Sequence, residues 1–187
     1  GYGGEARNYP LEVTVTSSGL EVGDEPLMIY KRSGVPVFID SDRVRAIKEL
    51  TRKHSCDVII SDDGLQHYAM ARDIEVVVID GERGFGNGQC LPAGPLREPV
   101  SRLKEVDLVV VNGEENEFDW LCPVRMTDMQ LKPAKLVDIR TGERGEIEAL
   151  GRNTVHGVAG ISNPERVFKT LRSLGLEVIP HEFPDHY

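Results

Sequence analysis

Three short apolar runs, each closed by a polar residue and a glycine, restrict this chain more than any other feature. Val58-Ile59-Ile60 leads into Asp62-Asp63-Gly64, Glu75–Ile79 into Asp80-Gly81, and Leu108–Val111 into Asn112-Gly113. Continuous Val/Ile runs between helical stretches are the pattern of parallel strands buried on both faces. Their carboxyl ends gather polar groups where α/β sheets bind ligands. The fold class is therefore α/β. Leu11–Thr16 and Val35–Ile39 read as further strands, and Ser41 as the cap of a helix over Asp42–Lys53, in which Val44, Ile47 and Leu50 recur at helical spacing.

Farther on, Glu114–Asp119 reads as a solvated acidic segment. Val124–Gln130 and Ala134–Ile139 are predicted to pair as a hairpin across Lys132-Pro133. A second α/β unit then opens with a strand over Thr154–Ile161. Asn163 is its helix cap, with Pro164 at the first helical position. Val167, Phe168, Leu171 and Leu174 line one helix face, Gly175 is the expected stop, and Leu176–Ile179 returns as a strand.

Composition removes several classes of function. An excess of acidic over basic residues, 31 against 22, gives a net charge of −9. That argues against a nucleic-acid backbone as partner. The apolar runs are far shorter than the ~20 residues of a membrane helix, and no stretch reads as a secretory signal. Cys56, Cys90 and Cys122 are too widely spaced for a metal knuckle and odd in number, so unpaired thiols are expected. The chain starts on Gly1-Tyr2-Gly3-Gly4 and stops at Asp185-His186-Tyr187, inside a polar motif. This reads as an internal piece of a longer protein.

Four clusters carry candidate chemistry. In Gly23-Asp24-Glu25-Pro26, Asp24 is either an N-cap or, with Glu25, a carboxylate pair able to hold a general base and a metal or water ligand. Asp62-Asp63-Gly64-Leu65-Gln66-His67 follows an apolar run, as a Walker B carboxylate does where Mg²⁺ bridges nucleotide phosphates. The competing reading is a turn beside a helix-start histidine. Gly84–Gly88 and Leu91–Pro99 are too rich in glycine and proline for regular structure and too apolar for a linker, which suggests an ordered functional loop. There Arg97 offers a cation for phosphate, unless Arg97 and Glu98 are only a surface ion pair. Asp185-His186 is an acid–histidine pair suited to proton handling. On these residues alone, a metal-dependent α/β hydrolase and a non-catalytic binding module both stay open.

In this order the clusters resemble the tetraacyldisaccharide 4′-kinase family, the lipid A 4′-kinases of Gram-negative bacteria. The matching strings are Gly1–Gly4, Gly23–Pro26, Asp62–His67, Phe85–Gly88, Leu91–Glu98, Ala159–Ile161 and Asp185-His186. The resemblance implies a P-loop NTPase-like, mostly parallel sheet and a second, smaller α/β domain joined by a β-ribbon. Its expected boundaries are 1–119 for a partial kinase core, 120–150 for the ribbon and 151–187 for the start of the second domain.

The same resemblance implies ATP and Mg²⁺ as cofactors and phosphorylation of the 4′-hydroxyl of a tetraacyldisaccharide 1-phosphate. It places the work at the cytoplasmic face of the inner membrane and implies no protein partner. By motif, Asp24, Arg97 and His186 are carried over as catalytic, Asp62 and Asp63 as metal carboxylates, and Glu25, Gln66, His67 and Glu98 as substrate- or nucleotide-binding. No Gly-Lys-Ser/Thr string of a phosphate-binding loop occurs in these residues. The isolated piece is therefore expected to lack kinase activity.

Overall fold

Leu108–Val111 and Val76–Ile79 form the strands their composition predicts, and they pair in parallel. The computed structural model describes residues 4–113, 125–161 and 163–184. The chain divides into two compact units, Gly1–Asp128 and Met129–Tyr187. In chain order the first holds β1 (Leu11–Glu12), α1 (Gly19–Val22), α2 (Asp24–Ser33), β2 (Phe38–Ile39), α3 (Arg43–Lys53), β3 (Val76–Asp80), β4 (Leu108–Asn112) and β5 (Met126–Met129). Strand β3 lies beside β4 with Asp80 opposite Asn112, so both strands deliver a polar residue at the same carboxyl edge. Strand β5 adds to the other side of β4. Ile79, Leu103, Val106, Val109 and Val111 form the core under this sheet, and Leu65 and Phe85 pack against it from two motif loops.

Several expectations are corrected. Val58–Ile60 is not a strand: it runs without ladder partners among the described residues, and Val58 and Ile60 are 76% and 89% exposed. An apolar run becomes a strand only where another edge accepts its hydrogen bonds. Burial on both faces also fails for β3, since Val76 and Val78 are exposed while Ile79 is buried. The Leu11–Thr16 and Val35–Ile39 runs shrink to β1 and β2, which pair antiparallel in a sheet of their own. Val124–Gln130 and Ala134–Ile139 do not form a hairpin with each other. The first becomes β5 beside β4, while β6 (Leu136–Val137) pairs with β7 (Arg144–Gly145). The turn between β6 and β7 is the reason: Asp138 Oδ1 accepts from the amides of Arg140 and Thr141, and Gly142 takes φ 75°. Glu114–Asp119 and Cys122 lie outside the described residues, and Cys56 and Cys90 are unpaired thiols.

Helix α3 is capped by Asp42, not Ser41: Asp42 Oδ1 accepts from the Arg45 amide at 3.1 Å. Arg45 then reaches back to the side chain of Asp40, at the end of β2, with Nε–Oδ2 at 2.6 Å and Nη2–Oδ1 at 2.7 Å. The Asp40 carboxylate is wholly buried while Arg45 is half exposed. The Arg45 fork, against the opposing effect of burial, holds the Asp40 carboxyl below its ordinary range.

Removing the guanidinium leaves a buried anion with the Asp42 amide and the Ser41 hydroxyl as its remaining partners. Arg45→Met is expected to destabilise by about 1–3 kcal/mol, less than for a fully buried pair because Arg45 is half in water. A depressed folded-state value means the contribution is present above the ordinary carboxylate pKa of about 3.9 and is lost as pH falls through the lower folded value. Urea midpoints at pH 6 and pH 3 should therefore converge in the variant relative to the wild type.

The second unit is built on β8 (Thr154–Ala159) and β9 (Glu177–Glu182), parallel neighbours bridged by α4 (Pro164–Ser173). Pro164 opens α4 as expected, and Gly175 at φ 83° follows its end. Phe168 is completely buried, as the helix periodicity requires. Its ring lies over Gly157, where a Cβ would come within 3.0 Å of the ring and 2.8 Å of Val178.

Candidate active site

The glycine before Asp24 starts α2 without a side-chain cap, so Asp24 is the first helical residue rather than the cap. Asp24 and Glu25 occupy the first turn, where a carboxylate meets the positive end of the helix dipole. Both are exposed. The Asp24 carboxylate leans over Gly19: a Cβ there would meet Asp24 Oδ1 at 2.3 Å. It forms no hydrogen bond or ion pair with a described side chain and stays available to a ligand. Gly4, from the opening glycine string, sits against the backbone just before this motif, where a Cβ would come within 2.7 Å of Glu21 O and 3.2 Å of Gly23 N. The amide of Glu5 donates to Leu20 O at 2.9 Å. Two motifs separate in sequence are thus tied through main chain.

Asp62 and Asp63 occupy a tight turn, with Asp63 at φ 48° in the left-handed region. Gly64 is required there, because a Cβ would meet Ser61 Oγ at 2.7 Å. The amide of His67 donates back to Gly64 O at 3.0 Å and closes the next turn. Both carboxylates are exposed. Among the described residues no three His, Cys, Asp or Glu side chains converge as a metal cage. Two hard oxygen ligands at an exposed turn nonetheless fit Mg²⁺, which binds through one or two carboxylates plus substrate phosphates and water rather than through an all-protein cage.

The loop at 84–98 folds on itself. Asn87 Nδ2 donates to Ala93 O at 2.8 Å, and its Oδ1 accepts from the Gln89 amide at 3.1 Å. Gly94 fits into this fold with no room for a side chain: a Cβ would lie 2.1 Å from Asn87 Oδ1 and 2.3 Å from Gln89 O. The loop delivers Arg97 outward, exposed and without an ion-pair partner among the described residues. The reading of Arg97 and Glu98 as a mutual ion pair does not hold, because Glu98 turns the other way. It accepts from Gln66 Nε2 at 2.7 Å and from the hydroxyl of Tyr68. Burial opposes ionisation of Glu98, but these hydrogen bonds and the charges of Arg102 and Arg72 outweigh it and hold the carboxyl below its ordinary value. The same contact pushes the Tyr68 phenol up.

The structure therefore joins the Asp62–His67 string to the Leu91–Glu98 string through Gln66 and Glu98. His186 lies outside the described residues, and among the described residues no hydrogen bond or ion pair links Asp24 or Glu25 to the Asp62-Asp63 turn. Sequence reasoning missed Tyr68 and Arg102, which contact Glu98, and Glu75 and Arg72, which continue the network beyond Arg102. The spacings of Arg72 with Glu75 and of Glu98 with Arg102, three and four residues, are local hints of pairs.

The fold is that of a P-loop kinase. Over 99% of this chain and 60% of the other, it superposes on a crystal structure of LpxK from Aquifex aeolicus in complex with ATP, with a TM-score of 0.73 and 26% identity. The family model for tetraacyldisaccharide-1-P 4′-kinase matches residues 1–187. The chain belongs to that family. It is 48% identical over 187 residues to tetraacyldisaccharide 4′-kinase of Pseudomonas aeruginosa (strain LESB58), covering 100% of this chain and 55% of the relative. Similar values hold for the Nitrosococcus oceani protein, at 48% identity and 53% of its length, and for that of Pseudomonas fluorescens (strain SBW25), at 49% and 54%. The chain thus spans about half the length of the curated relatives it matches.

Proposed function

We propose that the intact protein transfers the γ-phosphate of ATP to the 4′-hydroxyl of a tetraacyldisaccharide 1-phosphate, a step of lipid A assembly, at the cytoplasmic face of the inner membrane. The observation that carries this reading is the meeting of the Asp62–His67 and Leu91–Glu98 motifs through Gln66 and Glu98, in a chain that matches the kinase family from end to end. Phosphoryl transfer asks little covalent chemistry of the protein and much positioning and charge stabilisation.

Asp62 and Asp63 would hold Mg²⁺, which when bound neutralises charge on the nucleotide phosphates. Asp24, exposed on the first turn of α2 and without a partner among the described side chains, takes the proton of the attacking hydroxyl, with His186 assisting it. Arg97, exposed on a loop held by its own hydrogen bonds, answers the negative charge on the transferred group. Glu25, Gln66 and His67 contact nucleotide or sugar, and Glu98 fixes Gln66 for that contact. The phosphate-cradling glycine loop is not in these residues, so the isolated chain is not expected to catalyse transfer.

Incubating the intact protein with ATP, Mg²⁺ and the acylated disaccharide 1-phosphate should give the 4′-phosphorylated product. Asp62→Ala and Asp63→Ala should each raise the Mg²⁺ concentration for half-activity, by about 10- to 100-fold as when support for a metal is lost. An unshifted Mg²⁺ requirement in both variants would make the turn purely structural. Absence of the phosphorylated product with the wild type would end the kinase reading.

A further inference from the structure

Around Glu98 the side chains close into a ring of alternating charge. Arg72 Nη1 donates to the main-chain carbonyls of Gly64 at 2.9 Å and Leu65 at 3.1 Å. Its Nε pairs with Glu75 Oε1 at 2.6 Å. Glu75 accepts in turn from Arg102 Nη2 at 2.8 and 2.7 Å. Arg102 Nε faces Glu98 Oε2 at 3.4 Å, and Glu98 takes the Gln66 amide. The ring therefore begins and ends on residues immediately after Asp62-Asp63. On its way it passes through the start of β3, the 3-10 turn at Val100–Glu105 and the loop that carries Arg97.

Isolated surface ion pairs contribute little and would need no explanation. This group differs in burial and in closure. The side chains of Arg72, Glu75, Arg102 and Glu98 are only 20%, 11%, 14% and 16% exposed. Two positive and two negative charges balance, and each carboxylate has at least two donors. The ring also grips backbone: a turn that places Asp63 at positive φ persists where its surroundings fix it, and Arg72 supplies that by holding the two carbonyls that follow.

We propose that Glu75 and Arg102 are positioning residues for the Asp62-Asp63 turn and for the loop bearing Arg97, setting the two motifs in register without touching substrate. The proposal rests on the kinase reading above for what the register serves. Displacements of about 1 Å at a reacting group lower rates by about 10²-fold, so remote residues that fix two motif loops matter as much as many that contact ligand.

The test uses Glu75→Gln and Arg102→Met in the intact protein, with Glu105→Gln as control, since Glu105 is exposed and only 3.6 Å from Arg102 at the edge of the ring. Kinetics with ATP and Mg²⁺ are read beside amide hydrogen exchange. The expected result for both ring variants is a kcat lower by about 10- to 100-fold, a raised Mg²⁺ half-activity concentration and a nearly unchanged KM for the lipid. Faster exchange confined to 61–67 and 95–99 accompanies it, and the control behaves as wild type.

Wild-type kcat per folded molecule, whether or not thermal stability falls, overturns the proposal, because it makes the ring a structural brace alone. Should Glu75→Gln fail to fold, Glu75→Asp keeps the charge, shortens the reach and is read the same way. If the wild type transfers no phosphate, the kinase reading has failed and exchange alone decides: acceleration restricted to the two loops upholds the positioning role, and uniform or unchanged exchange rejects it.

Discussion

Asp24→Asn in the intact protein should lower kcat by about 10²–10⁴-fold, the range for loss of a general base, with KM for ATP little changed. The substitution keeps shape and removes the charge that can receive a proton. The structure makes this a clean experiment. Asp24 forms no hydrogen bond or ion pair with a described side chain, and α2 is started by Gly23 without a side-chain cap. The loss of helix-dipole compensation is expected to be within about 1 kcal/mol, so the folded fraction stays near wild type and the whole kinetic loss is chemical. His186→Ala should act on the same step, and the double variant should lose less than the product of the two single losses. Full turnover in Asp24→Asn would remove this carboxylate from the mechanism.

Phe168→Ala should destabilise the second unit by about 3–5 kcal/mol, the cost of deleting a buried aromatic ring. That is a large part of the ~5–15 kcal/mol that holds a typical domain folded. The ring is fully buried between α4 and the β8–β9 pair and fills the space that Gly157 leaves without a side chain. Among the described residues of the unit, no other has a side chain as large and as fully enclosed. Thermal unfolding followed by circular dichroism should show an earlier transition for residues 129–187. A transition unmoved by the substitution would place the core of this unit elsewhere.

Periodicity made the second unit legible before any coordinates. Asn163-Pro164, the Val167–Phe168–Leu171 face and Gly175 each carry a local signal, and helix, stop and flanking strands follow from them. The sheet of the first unit was half legible. Val76–Ile79 and Leu108–Val111 pair as their composition demands, but Val58–Ile60 has the same composition and no ladder. Strand identity is settled by the neighbouring edge, which no run of residues contains. The hairpin error has the same root: Met126–Met129 prefers the free side of β4, while Leu136–Val137 finds a closer partner through the Asp138–Gly142 turn.

The site shows a similar division. Asp24, Asp62, Asp63 and Arg97 stand out as residue types in glycine-rich surroundings, and motif order ties them to a family. Glu98 was legible as a motif residue but not as the acceptor of Gln66 and Tyr68. Arg102 sits on a 3-10 turn with Glu98 and Glu105 at pairing distance in sequence, but its link to Glu75 arises only when β3 and the turn at 100–105 are brought together.

The cramped seat of Gly94 has a consequence for anyone who tries to retune this protein. Because even one carbon there collides with Asn87 and the carbonyl of Gln89, mutational libraries that vary Gly94 will sample broken scaffolds rather than altered preferences. Outward positions of the loop such as Leu91, 65% exposed, carry no such restriction. Diversity in this loop belongs at such outward positions, with Gly94 and Asn87 left alone and with Arg97 and Asp24 kept for the roles proposed above.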